Sequence, residues 1–326
     1  RLQGDWSSDV CSSDLLNFEI VPAFSRLRSH FTVVVIVSSH RQTRKQKMEL
    51  LPFFTEYLGP RILGGIQFES TRYAMGTLVT FFVLWVVLHR FLETRKIRKP
   101  TPRAKQIQME LKHSFKTVCV FVAMDIFIFE AADLGIFQKY DDFTDYGMLW
   151  FWVSIPLLIV LHDAYFYWTH RAMHTAKLYK RTHMQHHRSH NPTPFTAYNF
   201  AAAEAVIEYM YVPIALMLIP THSLALYIVL AVMIFKNAIA HSGYEVFPRS
   251  WARMPVLGWL TTVTHHDMHH ERGTGNFGFY FTWWDRWMGT EHPNYLQRLD
   301  EQEARAQAIK AARRDAKKRP QMVPAE

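Results

Sequence analysis

Long apolar blocks alternate along this chain with short segments that are charged or broken by proline. Residues 73–92 supply enough helix to cross a bilayer. The run that follows, ETRKIRKPTPRAK over 93–105, is dense in Lys and Arg, and Pro100 and Pro102 block a helix there. An excess of basic residues beside a span marks the cytosolic side, so the first span is expected to run from outside to inside. Residues 117–137 form a second apolar block that carries Asp125, Glu130 and Asp133. Each is costly against lipid, so Asp125 is expected to face the bundle interior, or the segment to lie partly in the interface.

The acidic turn QKYDDFTD then faces outside, and residues 146–161 return the chain, ending at His162 and the aromatic residues Tyr165, Phe166, Tyr167 and Trp168. Residues 191–240 are apolar again and break around Pro220, which predicts a hairpin whose limbs of about 18 residues cross the bilayer or re-enter it. Two limbs leave His241 and the residues after it on the same side as the segment 162–190. The pattern predicts an all-α integral membrane protein with four to five transmembrane or re-entrant helices and a cytosolic, histidine-rich cap that binds metal.

The two ends read differently. The chain opens on Arg1, and DWSSDVCSSDL at 5–15 reads like a translated sequencing adapter, so residues 1–47 are expected to be a non-native extension ahead of Met48. Residues 48–295 form the membrane domain. Residues 296–326 have helix-forming composition and mixed charge, as in a solvated helix or a basic membrane-surface face.

Composition agrees with a membrane setting: 49% of the 326 residues are hydrophobic and 15% aromatic. The net charge of +9 would suit nucleic acid, but the basic residues flank apolar blocks and form no DNA-binding motif. No nucleic-acid partner is expected. Two cysteines, Cys11 and Cys119, provide neither a disulfide framework nor a thiolate metal site.

The candidate chemistry lies in the histidines. Residues 162–190, HDAYFYWTHRAMHTAKLYKRTHMQHHRSH, hold seven of the 18. His170 and His174 are spaced i, i+4, and His183, His186 and His187 are spaced i, i+3, i+4, so each set faces one way on a helix. His266, His269 and His270 repeat the second spacing, with His265 and the isolated His241 as neighbours. One zinc ion needs only three or four protein ligands, so this supply points to two metal ions. Imidazole suits iron, copper, nickel or zinc and excludes magnesium and calcium, which want oxygen.

The motifs HDAYFYWTHRAMH, THMQHH, HSGYE and HHDMHH, followed by FTWWDRWMGT, resemble the fatty acid hydroxylase superfamily, especially sterol desaturases and sterol methyl oxidases. The resemblance spans roughly residues 71–292, and NPTPFTAYNF at 191–200 is similar to the stretch after the second histidine box of sterol desaturases. Where many members carry His-Pro next, this chain has Ala201-Ala202.

The resemblance implies a non-haem site of two iron ions that uses oxygen to hydroxylate or desaturate a lipid, sterol-like lipids among them. The implied ligands are His170, His174, His183, His186, His187, His241, His266, His269 and His270. His162 is a candidate tenth, lying about 80° from the His170 face on a continuous helix. Asp163, Asp267 and Asp285 are candidates to orient imidazoles from behind.

Breaking an unactivated C–H bond needs redox chemistry that zinc does not supply, which favours iron. No fused haem or flavin domain is visible, so a separate electron-transfer protein is an expected partner. The bacterial inner membrane and the endoplasmic reticulum both remain open. Two rival readings are a membrane hydrolase with two zinc ions and a non-catalytic metal-binding membrane protein.

Overall fold

A computed structural model describes residues 50–98 and 100–318. Residues Thr55–Glu326 form one compact unit, and of Arg1–Phe54 only residues 50–54 are described. The expectation for residues 1–47 lies outside the described residues.

The fold is all-α. Its long helices are α1 (Gly59–Phe81), α2 (Ala104–Asp133), α3 (Gly147–Met173), α4 (Ala202–Tyr209), α5 (Tyr211–Leu218), α6 (Ser223–Ala240), α7 (Val263–Arg272) and α8 (Tyr295–Lys318). Among the described residues three helices are long and apolar enough to cross a membrane: Leu50–Val87, Gly147–Met173 and Ser223–Ala240. Their outer faces carry exposed apolar side chains such as Leu63, Leu78, Trp152 and Tyr227. That surface suits lipid and no aqueous solvent. The chain is an integral membrane protein.

The second predicted span differs in extent. The helix begins at Ala104 instead of 117, and it is not one of the three candidate spans. Its buried stripe explains why: Glu110, Ser114 and Thr117 face inward. The Glu110 carboxylate accepts from Ser189 at 2.8 Å and from Thr193 at 2.5 Å, Ser114 donates to the Phe195 carbonyl, and Thr117 to that of Tyr198. A polar seam thus clamps α2 onto residues 193–198. Near its other end, Asp125 accepts from the Tyr209 hydroxyl.

The hairpin breaks where Pro220 stands, and the break is held in place. Thr221–His222 pairs in parallel with Lys139–Tyr140, and Trp150 Nε1 donates to the Pro220 carbonyl at 2.8 Å. The acidic turn and the hairpin tip therefore share one end of the bundle. At that tip the His222 side chain accepts from Leu224 N and caps α6. Gly76 lets α1 approach α6, since a Cβ there would stand 2.5 Å from Ile234 Cγ1.

The basic loop after α1 lies at the opposite end, packed on the histidines. Ile97 N donates to the Gly243 carbonyl at 2.9 Å, Glu245 N donates to that of Arg95, and Arg98 pairs with Asp267 at 2.9 Å.

Candidate metal centre

Nine imidazoles converge at that end of the bundle in two groups, all buried except the half-buried His174. The first holds His170, His174, His183, His187 and His269; the second holds His186, His241, His266 and His270. Within each group the ligand atoms lie within 4.8 Å of one another. The groups adjoin: the rings of His183 and His186 are 5.0 Å apart, and those of His187 and His270 are 4.9 Å apart.

Five elements and their caps deliver these side chains. His170 lies in the last turn of α3 and His174 is its C-cap, so the two stack one turn apart. His183, His186 and His187 come from the short turns Tyr179–Thr182 and Met184–His187. His241 is the C-cap of α6. His266, His269 and His270 stand on α7, which starts where Thr262 accepts from His265 N and ends at Gly273 with φ +66. A side chain at Gly273 would be strained by that angle and would bring its Cβ within 3.4 Å of the His174 ring.

What lies behind the rings decides their chemistry. His170 Nδ1 donates to the Phe277 carbonyl at 2.9 Å, His269 Nδ1 to Gly275 at 2.8 Å, and His241 Nδ1 to Asn237 at 2.8 Å. His174 donates to the Gly273 carbonyl. A carbonyl only accepts, so each of these neutral imidazoles carries its proton on Nδ1 and presents a bare Nε2 inward. His183 Nδ1 stands 2.6 Å from the Glu204 carboxylate, a charge-assisted length.

Facing inward, the Nε2 atoms meet at 2.9 Å for His170 and His183, 3.0 Å for His187 and His269, and 3.0 to 3.1 Å for His241 with His186, His266 and His270. Lone pairs cannot hydrogen-bond to lone pairs. The His241 nitrogen has a single lone pair for three approaching neighbours, and His170, His174 and His269 converge with three bare nitrogens of their own. Protonation does not resolve the conflict, because burial disfavours the charged form: it pulls His174 down to about 2, and His241 and His269 down to about 4. A cation accepting the lone pairs in each group does resolve it, and an all-nitrogen donor set suits a transition metal. The residues present fit two metal ions.

Other sequence candidates fall elsewhere. His162 is in neither group; its ring packs against Tyr211 at 4.7 Å and Phe279 at 5.3 Å. His265 is also in neither, turned back beside Tyr295 and 3.6 Å from Asp285. None of the three aspartates stands behind an imidazole of either group. Asp163 accepts from Tyr280 N, Phe281 N and Trp283 Nε1, and Asp267 pairs with Arg98. Asp285 accepts from Phe277 N at 2.9 Å and Gly278 N at 2.8 Å. It thereby fixes the loop whose Phe277 carbonyl orients His170, so its effect on the site passes through that loop.

The carboxylate that does touch a ligand is Glu204, which the sequence reading passed over. Its signal was present: Glu204 and Glu208 stand i, i+4 in an otherwise apolar stretch, an arrangement with a buried purpose.

A narrow cavity of about 60 Å³ lies against the centre, lined by apolar side chains such as Phe121, Val212 and Leu230. It shares Phe166, Phe200, Glu208 and Asn237 with the smaller space that His170, His183, His186, His241 and His266 enclose. The apolar cavity and the histidine space therefore adjoin.

Residues 155–290 match the Fatty acid hydroxylase family. The chain is 28% identical over 196 residues to a Delta(7)-sterol 5(6)-desaturase of Gibberella zeae, covering 60% of this chain and 58% of that protein. It is 30% identical over 194 residues to a methylsterol monooxygenase of Aspergillus fumigatus, covering 56% and 64% respectively. A human lathosterol oxidase is 27% identical over 248 residues, 72% of this chain and 80% of that protein. The chain thus spans about six-tenths of the length of the first two. No solved structure matches it.

Proposed function

We propose that this chain, a member of the fatty acid hydroxylase superfamily through residues 155–290, is a membrane-bound oxygenase that uses two iron ions and O2 to hydroxylate or desaturate a lipid. The observation that carries this reading is the pair of converging imidazole groups at the inner end of an apolar cavity. The named relatives act on sterols, which makes a sterol-like lipid the first substrate to test.

His170, His174, His183, His187 and His269 would hold one ion, and His186, His241, His266 and His270 the other. When bound, the ions supply the redox chemistry that cleaves an unactivated C–H bond, which no side chain here provides. The protein's own part is placement. The carbonyls of Phe277, Gly273, Gly275 and Asn237 hold ring tautomers, and Glu204 holds His183. Phe166, Phe200 and Phe279 keep the approach dry and apolar. His162, in the cavity wall, is proposed to shape the pocket and not to bind metal.

A cytosolic position for the histidines is part of the reading, supported by the basic loop 93–105 lying against α7 and Gly243. Electrons would come from a separate protein on that side.

The test is expression in a host with a suitable reductase, followed by metal analysis and lipid mass spectrometry with and without oxygen. Two iron ions per chain and an oxygen-dependent product are expected, gaining one oxygen or losing two hydrogens. Activity without oxygen or reductant would instead establish a hydrolase.

A further inference from the structure

Glu208 is the one carboxyl that lines both the apolar cavity and the space the histidines enclose. It stands one helical turn after Glu204, on the face of α4 that reaches His183. Glu208 is half-buried, it faces the like charge of Glu204, and among the described residues it has no hydrogen-bond partner. A carboxyl in such surroundings is costly unless something in use completes it.

The cavity's other charge is already answered. Arg72 lines the cavity, and its Nη2 is 2.5 Å from the buried Glu69 carboxylate. No spare cation faces the space. Arg72, Leu230 and Ile234 also line a groove between α1 and α6 that opens on the apolar outer surface. The helices touch at Gly76 and Ile234, whereas Gly64 has open space around it. Groove, cavity and histidine centre therefore follow one another from the bilayer inward.

Resting on the function proposed above, we infer that Glu208 receives a hydroxyl of the lipid substrate close to the carbon that is oxidised, and that the substrate is a neutral alcohol. An ionised carboxyl accepts from a hydroxyl, and a protonated one both donates and accepts, so either state pairs with an alcohol. A carboxylate held at Glu208 itself would set two acids side by side, with no unpaired Lys or Arg in the cavity lining. Glu208 is thus a specificity-determining residue, and Glu204, which positions His183, is not interchangeable with it.

Matched probes decide the matter on the full, metal-loaded chain in nanodiscs: a Δ7-sterol against its 3-deoxy counterpart, hexadecan-1-ol against hexadecane, and palmitate. Dissociation constants should favour the alcohol by ~10-fold in at least one pair, the scale of one buried hydrogen bond, with palmitate weaker than either alcohol. Glu208→Leu should bring that preference within ~2-fold while metal content stays at the wild-type value; Glu208→Gln, which keeps a donor and an acceptor, should preserve it. A full preference in Glu208→Leu, no preference for either alcohol in the wild type, or tightest binding of palmitate would overturn the inference. If Glu208→Leu does not fold, the wild-type comparison and Glu208→Gln still decide. Metal content and oxygen-dependent product are measured separately, so a lipid oxidised without alcohol preference removes this inference and leaves the oxygenase reading standing.

Discussion

The two imidazole groups have the same inward chemistry and different support. In the first, His170, His174 and His269 are fixed by carbonyls and His183 by Glu204. In the second, only His241 is anchored in this way, and the buried Nδ1 atoms of His186 and His270 have no partner. An anchored imidazole is held in its ligating tautomer and orientation before metal arrives, whereas an unanchored one must be ordered by the metal itself. The first group is therefore pre-organised, and the second depends on His241 as its centre.

Alanine at His241 probes the dependence most severely. Its Nε2 is within 3.1 Å of three other members of the group. His241→Ala should lower metal stoichiometry from two toward one and reduce oxygenated product by at least ~100-fold, the upper end of the range for perturbed metal sites. Retention of both ions, read by elemental analysis on protein with unchanged helical circular dichroism, would mean the second group does not act as a unit.

Glu204→Ala tests the support of the first group. His183 loses the partner behind it, and metal affinity or activity should fall ~10 to 100-fold, while Glu204→Gln, which still offers an acceptor, should fall less. Equal losses in the two variants would show that charge and not orientation matters.

Chelator competition sharpens the comparison without mutation. The second group should release its ion first, with an apparent affinity lower by ~10-fold, since fewer of its rings are held from behind. Simultaneous release of both ions would remove the distinction drawn between the groups.

The smallest effects belong to the histidines outside both groups. His265→Ala and His162→Ala should each leave two ions bound, with changes in affinity below ~10-fold, whereas His266→Ala, one residue from His265, should cost an ion. An ion lost from the His265 variant and kept in the His266 variant would place the register of α7 one residue off.

Much of this was legible in the residues. The spacings 170/174, 183/186/187 and 266/269/270 put each set on one helical face, because a helix brings i, i+3 and i+4 together whatever surrounds it. The apolar runs that became α3 and α6 were legible for a similar reason: length and hydropathy decide whether a helix can span a bilayer. The break at Pro220 was marked by a residue that cannot continue a helix.

The sequence by itself determined the spanning helices α3 and α6, the donor chemistry of the imidazoles and the membrane setting, all of which follow from local spacing and composition. Only the tertiary structure decided how nine histidines divide into five and four. That partition separates His183 and His187 from His186 although they share one short segment, and it joins His187 to His269 across 82 residues. The same holds for α2, whose polar seam made a long inward-facing helix where hydropathy marked a shorter span. It also holds for Glu204 and the three aspartates. An acid's sequence neighbours do not say whether it will meet an imidazole, a guanidinium or a backbone N–H, because those partners arrive from elements far along the chain.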